Sequence, residues 1–201
     1  FNSLFTTVVT VTISIMVCCM GAYGLVKHKP AGANAIFAVV LAALMFSTHV
    51  TQIPNYLVVN KLGLVNSYLA LIIPKIAVAY NFFLVKQFCE QLPNSILEAA
   101  RIDGATNLQI FTKITLPLSK PMIVYTALTQ FAWPWSDCLL PKLLLKNRDQ
   151  WTVAVGLFSM PETHFSRFAA GSVFIAVPIV ILYFCLVKHI VNGLTAGAVK
   201  G

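Results

Sequence analysis

The stretch LPNSILEAARIDGATNLQIFTKITLPLSKP, residues 92–121, lies between two long apolar segments and is dense in helix start and stop signals. Ser95 followed by Glu98 has the spacing of a capping box, in which each side chain accepts a backbone N–H of the other residue. A helix is therefore predicted from about Ile96 to the residue before Gly104, which takes the left-handed conformation that commonly ends helices.

A second helix follows directly in the same stretch. Thr106 and Gln109 repeat the capping-box spacing, so this helix is predicted to run to about Thr115. Pro117 and Pro121 then end it and open the next apolar segment. Both helices are far too short to cross a bilayer, so the stretch forms an elbow at a membrane surface. Their apolar side chains are expected to pack against the ends of neighbouring segments: Ile96, Leu97, Ala100, Ile102, Leu108, Phe111 and Ile114.

The composition outside this stretch is that of a membrane protein. Of 201 residues, 58% are hydrophobic and only 10% are charged, whereas a soluble domain carries about a quarter of its residues as charged ones. The net charge of +8 comes from Lys and Arg residues scattered among apolar runs, without a basic stripe. A nucleic-acid partner is therefore not predicted, and the lipid bilayer is the expected solvent.

Five apolar segments are long enough to cross about 30 Å of hydrocarbon. They cover roughly residues 4–26, 34–56, 68–88, 122–140 and 170–190. Placing the loop of residues 89–120 in the cytoplasm puts eight basic residues inside and five outside, with Lys75 left within a span. The positive-inside rule thus favours a cytoplasmic elbow.

Several motifs carry a family resemblance. Glu98-Ala99-Ala100, then Gly104, then Ile114-x-Leu116-Pro117 resemble the EAA signature of binding-protein-dependent ABC importer permeases. Further matching pieces lie at residues 2–4, 22–23, 63–68, 101–105, 135–137 and 193–201. The pattern is most similar to the sugar-importer branch, the maltose-type permeases.

This resemblance implies an all-α, polytopic membrane helical bundle of the type I importer class, in the bacterial plasma membrane. Residues 1–201 would form the permease domain, with five of six spans present and the N-terminal span missing. Residues 89–120 would be the cytoplasmic coupling loop that docks into an ATPase subunit. The implied partners are an ATPase dimer, a second permease subunit and an external solute-binding protein, and the implied substrate is a sugar or oligosaccharide.

The resemblance also assigns roles to residues. The coupling residues that it implies are Glu98, Ala99, Ala100, Arg101, Asp103, Gly104 and Ala105. Glu98 would pair with a basic residue of the ATPase, although a purely capping role stays open. The terminal segment 193–201 is a second implied ATPase contact. The chain has no GxxxxGK[ST] phosphate loop, so ATP would be bound and hydrolysed by the partner, and no catalytic site, metal or cofactor is predicted.

Polar side chains within the predicted spans are the candidates for a solute pathway, because such groups are costly to expose to lipid. His49 and Gln52 lie in the second span, Asn81 in the third, and Asp137 at the end of the fourth, where an aromatic belt is the competing explanation. Lys75 is expected to snorkel to the interface.

A stripe of small residues along the first span has the spacing of one helix face, and it favours close helix packing, with pathway lining as the alternative. The stripe consists of Ser3, Thr7, Thr10, Ser14, Cys18 and Gly21. The alternative function for the whole chain is an ion-gradient-driven secondary transporter or a channel. Such proteins need intramembrane carboxylates, and Asp137 is the only acidic residue within a predicted span.

Overall fold

The computed structural model describes residues 1–160 and 165–198. All regular structure in these residues is helical, which confirms the all-α prediction. The α-helices are α1 (Asn2–Tyr23), α2 (Ala33–Leu44), α3 (Gln52–Lys61), α4 (Leu69–Ile72), α5 (Ala79–Gln91), α6 (Asn94–Ile102), α7 (Asn107–Ile110), α8 (Leu116–Leu118), α9 (Lys120–Ser136), α10 (Leu139–Leu144), α11 (Val153–Phe158) and α12 (Phe165–Ala198). Shorter helical turns are the π-helical Gly24–His28 and Phe111–Thr115 and the 3-10 turns Ile73–Lys75 and Arg148–Gln150.

Two helices in the described part of the chain are long and apolar enough to cross a membrane. They are Asn2–His28, which joins α1 to its π-helical turn, and Ser166–Lys188 within α12. Both agree with the first and last predicted spans. Leu69–Lys75 and Ala79–Gln91 pass the same test only when they are taken together as one interrupted span. The structure therefore has two such spans, or three with the interrupted one, and the count of five is not confirmed.

The second predicted span is two helices rather than one. α2 ends at Leu44, and its 12 residues reach only about 18 Å, short of the roughly 30 Å of hydrocarbon. In the turn that follows, the N–H groups of Val50 and Thr51 both donate to the carbonyl of Ser47, and Thr51 Oγ1 donates to the Thr48 carbonyl at 3.0 Å. The prediction of one helix over residues 34–56 was wrong because the Thr51 hydroxyl bonds to the backbone in this turn and competes with the helix.

The third and fourth predicted spans are also interrupted. After α4 the chain tightens into the 3-10 turn Ile73–Lys75, and α5 begins only at Ala79. Pro74 lies in this turn and has no N–H to donate, which explains why a regular helix does not run through it. α9 stops at Ser136, and α10 starts separately at Leu139.

The chain forms two compact units. Unit 1 consists of Phe1–Ser14, Phe46–Ala77 and Ala127–Cys185. Its buried core joins α3, α4 and α10 through Val59, Ala70, Leu71, Leu140, Leu144 and Leu145, with the Trp151 ring packed against it. Asn2 adds a polar tie, because its Nδ2 donates to the Asp149 carbonyl at 2.6 Å and its Oδ1 accepts from the Tyr68 hydroxyl at 2.9 Å.

Unit 2 consists of Ile15–Met45, Val78–Thr126 and Leu186–Gly201. Its buried core joins the second half of α1 to α5 through Cys19, Ala22, Val85 and Cys89. Side chains of the quoted stretch, Phe111 and Leu116, pack against this core. The predicted coupling loop is thus part of unit 2.

Five of the six small residues of the stripe on α1 are buried, as the packing interpretation predicts, and the sixth, Gly21, is exposed. Ser3, Thr7, Thr10, Ser14 and Cys18 are each at most 3% exposed. A Cβ added at Gly21 would lie 3.0 Å from the ring of Phe82, within unit 2. A side chain at position 21 would therefore require the Phe82 ring to shift.

Candidate coupling loop and intramembrane polar residues

The first helix of the coupling loop ends in a Schellman motif. The Ala105 N–H donates to the Ala100 carbonyl and the Gly104 N–H donates to the Arg101 carbonyl, both at 3.0 Å. Gly104 has φ +80°, in the left-handed region where glycine pays no Cβ penalty. The predicted stop at Gly104 is confirmed, since these bonds satisfy carbonyls that the end of a helix otherwise leaves free.

The second helix starts with the predicted capping box. Thr106 Oγ1 accepts from the Gln109 N–H at 3.3 Å, and Gln109 Oε1 accepts from the Thr106 N–H at 2.8 Å. Helical turns then continue to Leu118, past the predicted end near Thr115. We call Asp103, Gly104, Ala105 and Thr106 the elbow, because one helix ends and the next begins within these residues.

The capping box predicted at Ser95 is absent. α6 begins at Asn94, two residues before the predicted start at Ile96, with Pro93 in the cap position and no side-chain cap bond. Proline restricts the residue before it and presets its own φ, so the helix starts immediately after Pro93. Glu98 is consequently not used as a cap, and its side chain is exposed.

The faces of the two coupling helices differ from the prediction. Leu97 is buried as predicted, and Ile110, which the sequence interpretation missed, is completely buried. Ile102 and Leu108, predicted to pack inward, are 86% and 69% exposed on either side of the elbow. Ile102 is the last residue of α6 and Leu108 lies in the first turn of α7, so both are next to the turn at Gly104.

The predicted coupling residues form one accessible surface. Glu98, Ala99, Arg101, Asp103 and Gly104 are exposed, and Ala100 and Ala105 are half-buried. Beside the elbow lies an open recess of about 460 Å³. Its lining residues are Asp103, Gly104, Ala105, Gln109, Lys113 and Ile114.

The coupling loop is anchored to the end of the Asn2–His28 helix. Lys27 Nζ donates to the Leu92 carbonyl at 3.2 Å and to Asn94 Oδ1 at 3.0 Å, which holds the start of α6. The Tyr23 ring lies 5.1 Å from the Phe111 ring, which holds the turn after α7. The sequence interpretation missed the role of these residues, because Lys27 and Asn94 are 67 positions apart and neither belongs to a local motif.

The predicted pathway residues are divided between the two units. His49 is exposed in the turn between α2 and α3, and Gln52 begins α3, where its Oε1 is buried without a hydrogen-bond partner among the described residues. Both belong to unit 1, as does Asp137. Asn81 is buried on α5 and belongs to unit 2.

Lys75 forms an ion pair with Asp137 instead of snorkelling. Lys75 Nζ lies 2.6 Å from Asp137 Oδ2, and each side chain is 11% exposed. The remaining carboxylate oxygen, Oδ1, accepts from the Leu139 N–H at 3.0 Å. The sequence interpretation missed this pair because a carboxylate at contact distance gives the buried ammonium group a charge-assisted hydrogen bond without a route to water.

The predicted contact of segment 193–201 cannot be placed in full. The backbone of α12 continues to Ala198, and residues 199–201 lie outside the described residues.

Comparisons with known proteins identify the family of the chain. Residues 3–196 match the family model of the binding-protein-dependent transport system inner membrane component. The chain is 36% identical over 203 residues to the arabinooligosaccharides transport system permease protein AraQ of Halalkalibacterium halodurans, covering all of this chain and 73% of that protein. It is 34% identical over 206 residues to the maltodextrin transport system permease protein MdxG of Bacillus subtilis, covering all of this chain and 74% of that protein.

A solved structure has the same fold. It is the crystal structure of a bacterial ABC transporter involved in the import of the acidic polysaccharide alginate. Its TM-score with this chain is 0.80 at 25% sequence identity, over 93% of this chain and 72% of that one. The resemblance carried by the EAA motif is therefore confirmed, and the alternative of an ion-gradient-driven transporter or channel is not the family that matches. The chain belongs to the family of binding-protein-dependent transport system inner membrane components, the integral membrane permeases of ABC importers.

Proposed function

We propose that this permease imports a sugar or oligosaccharide, and that residues 89–120 couple its movement to ATP hydrolysis in a separate subunit. The single observation that carries the proposal is the exposed elbow at Gly104. Hydrogen bonds fix the helix end before it and the helix start after it, and contacts with the Asn2–His28 helix hold the loop in place. A projection that transmits force has to be stiff and accessible at once. The Schellman motif and the capping box supply the stiffness, and the exposed residues supply the contact surface.

The elbow has the chemistry of a docking surface. Exposed Ile102 and Leu108 flank it, and a water-exposed pair of large aliphatic side chains at a loop tip favours burial in a partner. Glu98 is exposed and forms no ion pair among the described residues, so its carboxylate is available to a basic residue of an ATPase. Arg101 and Asp103 supply further charges on the same surface.

The assembly that we propose contains an ATPase dimer, a second permease subunit and an external solute-binding protein. ATP-driven closure of the dimer would pull on the elbow and switch a cavity between the two permeases from outward to inward facing. The sugar assignment rests on the AraQ and MdxG relatives. His49, Gln52, Asn81 and Asp137 remain our candidates for residues along the solute pathway.

In this proposal the interrupted helices complete a five-span arrangement in a bacterial plasma membrane, with the elbow in the cytoplasm. The test of orientation is labelling of an Ala105→Cys variant, after the native cysteines are replaced, with a membrane-impermeant maleimide. Labelling of inverted vesicles but not of intact cells supports a cytoplasmic elbow. Labelling of intact cells but not of inverted vesicles would show that the elbow is outside the cell.

The test of function is ATP-dependent uptake. The chain is co-expressed with its ATPase, second permease and binding protein, reconstituted in vesicles, and supplied with labelled maltodextrins and arabinooligosaccharides. Uptake that requires ATP and the binding protein, and that survives a protonophore, supports an ATP-driven importer. Uptake that stops with the protonophore and ignores ATP would reject it, and ATP-driven uptake of neither sugar would reject the sugar assignment.

A further inference from the structure

The ion pair between Lys75 and Asp137 lies at an interruption in unit 1. Lys75 is the last residue of the 3-10 turn Ile73–Lys75, and its side chain is only 11% exposed, as is that of Asp137. Charged side chains within apolar segments are costly, and losing one member of a buried pair leaves the other uncompensated. A pair kept under these conditions has a specific role in the fold or in transport.

Both ends of Lys75 are held by the same helix face. Gln130 Nε2 donates to the Lys75 carbonyl at 3.0 Å, while Asp137 Oδ2 binds its ammonium group. Gln130 and Asp137 are seven positions apart, about two helical turns; Asp137 directly follows α9, and its N–H still donates to the Trp133 carbonyl at 3.1 Å, which keeps the two residues on one side of the helix. The Lys75 carbonyl lies where the helix stops, and the Gln130 amide supplies a hydrogen bond there.

The carboxylate also fixes the next element. Asp137 Oδ1 accepts from the Leu139 N–H and so orients the start of α10. α10 in turn packs on α4, because Leu140 and Leu144 share one core with Ala70 and Leu71. The ion pair therefore links three elements of unit 1: the end of the α4 segment, the end of α9 and the start of α10.

We propose that Lys75 and Asp137 are a positioning pair whose net charge is zero, which holds the end of the α4 segment on α9 while the permease works. Both oxygens of Asp137 are bonded within unit 1, and in this proposal its role is to keep this region in place rather than to bind the solute itself. The consequence for transport rests on the function proposed above, but the stabilising role does not.

The test compares single and paired neutralisation in the reconstituted complex. Lys75→Met leaves a lone carboxylate, and Asp137→Asn leaves a lone ammonium group while its amide oxygen still accepts from Leu139. Each single variant is expected to lower the Tm of the complex by about 10 °C, because each strands a buried charge. The double variant, with no net charge to strand, is expected to recover most of this loss. Lys61→Met, at an exposed lysine of the same unit, is the matched control and should leave the Tm unchanged.

Uptake of labelled maltodextrin separates positioning from solute binding. The double variant is expected to keep an apparent KM within about threefold of the parent, with maximal rate restored relative to either single variant. If the Tm losses of the two single variants add up in the double variant, the two residues do not act as a pair and the proposal is wrong. A stable double variant whose KM rises by about tenfold or more would overturn the positioning role and make Asp137 a solute ligand. If the parent complex takes up neither maltodextrins nor arabinooligosaccharides, the sugar proposal fails, and the Tm comparison still decides whether Lys75 and Asp137 act as a pair.

Discussion

Lys27 Nζ lies 3.0 Å from Asn94 Oδ1, so the end of the Asn2–His28 helix is hydrogen-bonded to the first residue of α6. The same ammonium group reaches the Leu92 carbonyl, on the other side of Pro93. The Lys27 ammonium group thus bonds to the residues on both sides of Pro93, which directly precedes α6. Any force on the elbow has this direct connection to a membrane-spanning helix.

Replacing Lys27 is therefore expected to loosen coupling. Lys27→Met keeps the length of the side chain but removes both hydrogen bonds, at a cost of about 1 kcal/mol for a partly solvated donor. The number of solute molecules imported per ATP hydrolysed should fall, while membrane insertion stays normal. Lys29→Met, at an exposed lysine two residues on, is the control. Equal ratios of uptake to hydrolysis in both variants and the parent would contradict a role for the anchor.

Variants of Gly104 can separate the effect of backbone strain from the effect of side-chain bulk. An added Cβ would meet nothing within 4 Å in this chain, so the cost of Gly104→Val comes from φ +80° and not from an internal clash. That strain amounts to about 1–2 kcal/mol, and uptake should fall about tenfold. Gly104→Asn tolerates the left-handed region and is expected to retain most uptake. Similar losses in the Asn and Val variants would instead point to a tight fit against the ATPase.

Thr106 tests the start of the second coupling helix. Thr106→Ala removes the acceptor of the capping box and should cost about 1 kcal/mol of local helix stability. Hydrogen exchange of the α7 amides should speed up by about fivefold as a result. Thr106→Ser keeps the hydroxyl oxygen and should behave like the parent. Unchanged exchange in the alanine variant would mean that the surrounding contacts alone hold α7.

Glu98 tests the contact with the ATPase. Since this carboxylate does not cap α6, reversing its charge should leave the permease folded and weaken its binding to the ATPase. Glu98→Lys is expected to lower recovery of the ATPase in co-purification from detergent, and Glu98→Gln is expected to lower it less. The permease Tm serves as the folding control. Full recovery of the ATPase with the lysine variant would remove Glu98 from the interface.

Gly171 tests packing in unit 1. A Cβ at this position would lie 2.5 Å from Cδ1 of the buried Leu157. Gly171→Val is expected to cost about 1–3 kcal/mol through overpacking and to lower the Tm. Adding Leu157→Ala opens space and should restore part of that loss, although the alanine change alone is destabilising. Two losses that simply add would show that α11 and α12 do not pack as described.

Local signals in the sequence determined a large part of this protein. The apolar composition set the membrane class, and the spacing of Thr106 to Gln109 and the glycine at 104 set the elbow, because capping and left-handed stops depend on neighbouring residues only. The EAA motif indicated the family for a similar reason, because all of its residues lie within one short stretch of the sequence.

Tertiary structure alone decided the rest. The breaks at residues 45–51 and 76–78 have local causes, the Thr51 hydroxyl bond and Pro74, but only the folded chain brings Gln130 to the free carbonyl of Lys75. Lys75 could not be matched to Asp137, 62 positions away, because ion pairing depends on distance in space and not in sequence. The burial of Ile110 and the exposure of Ile102 likewise follow from the direction in which the elbow turns the chain.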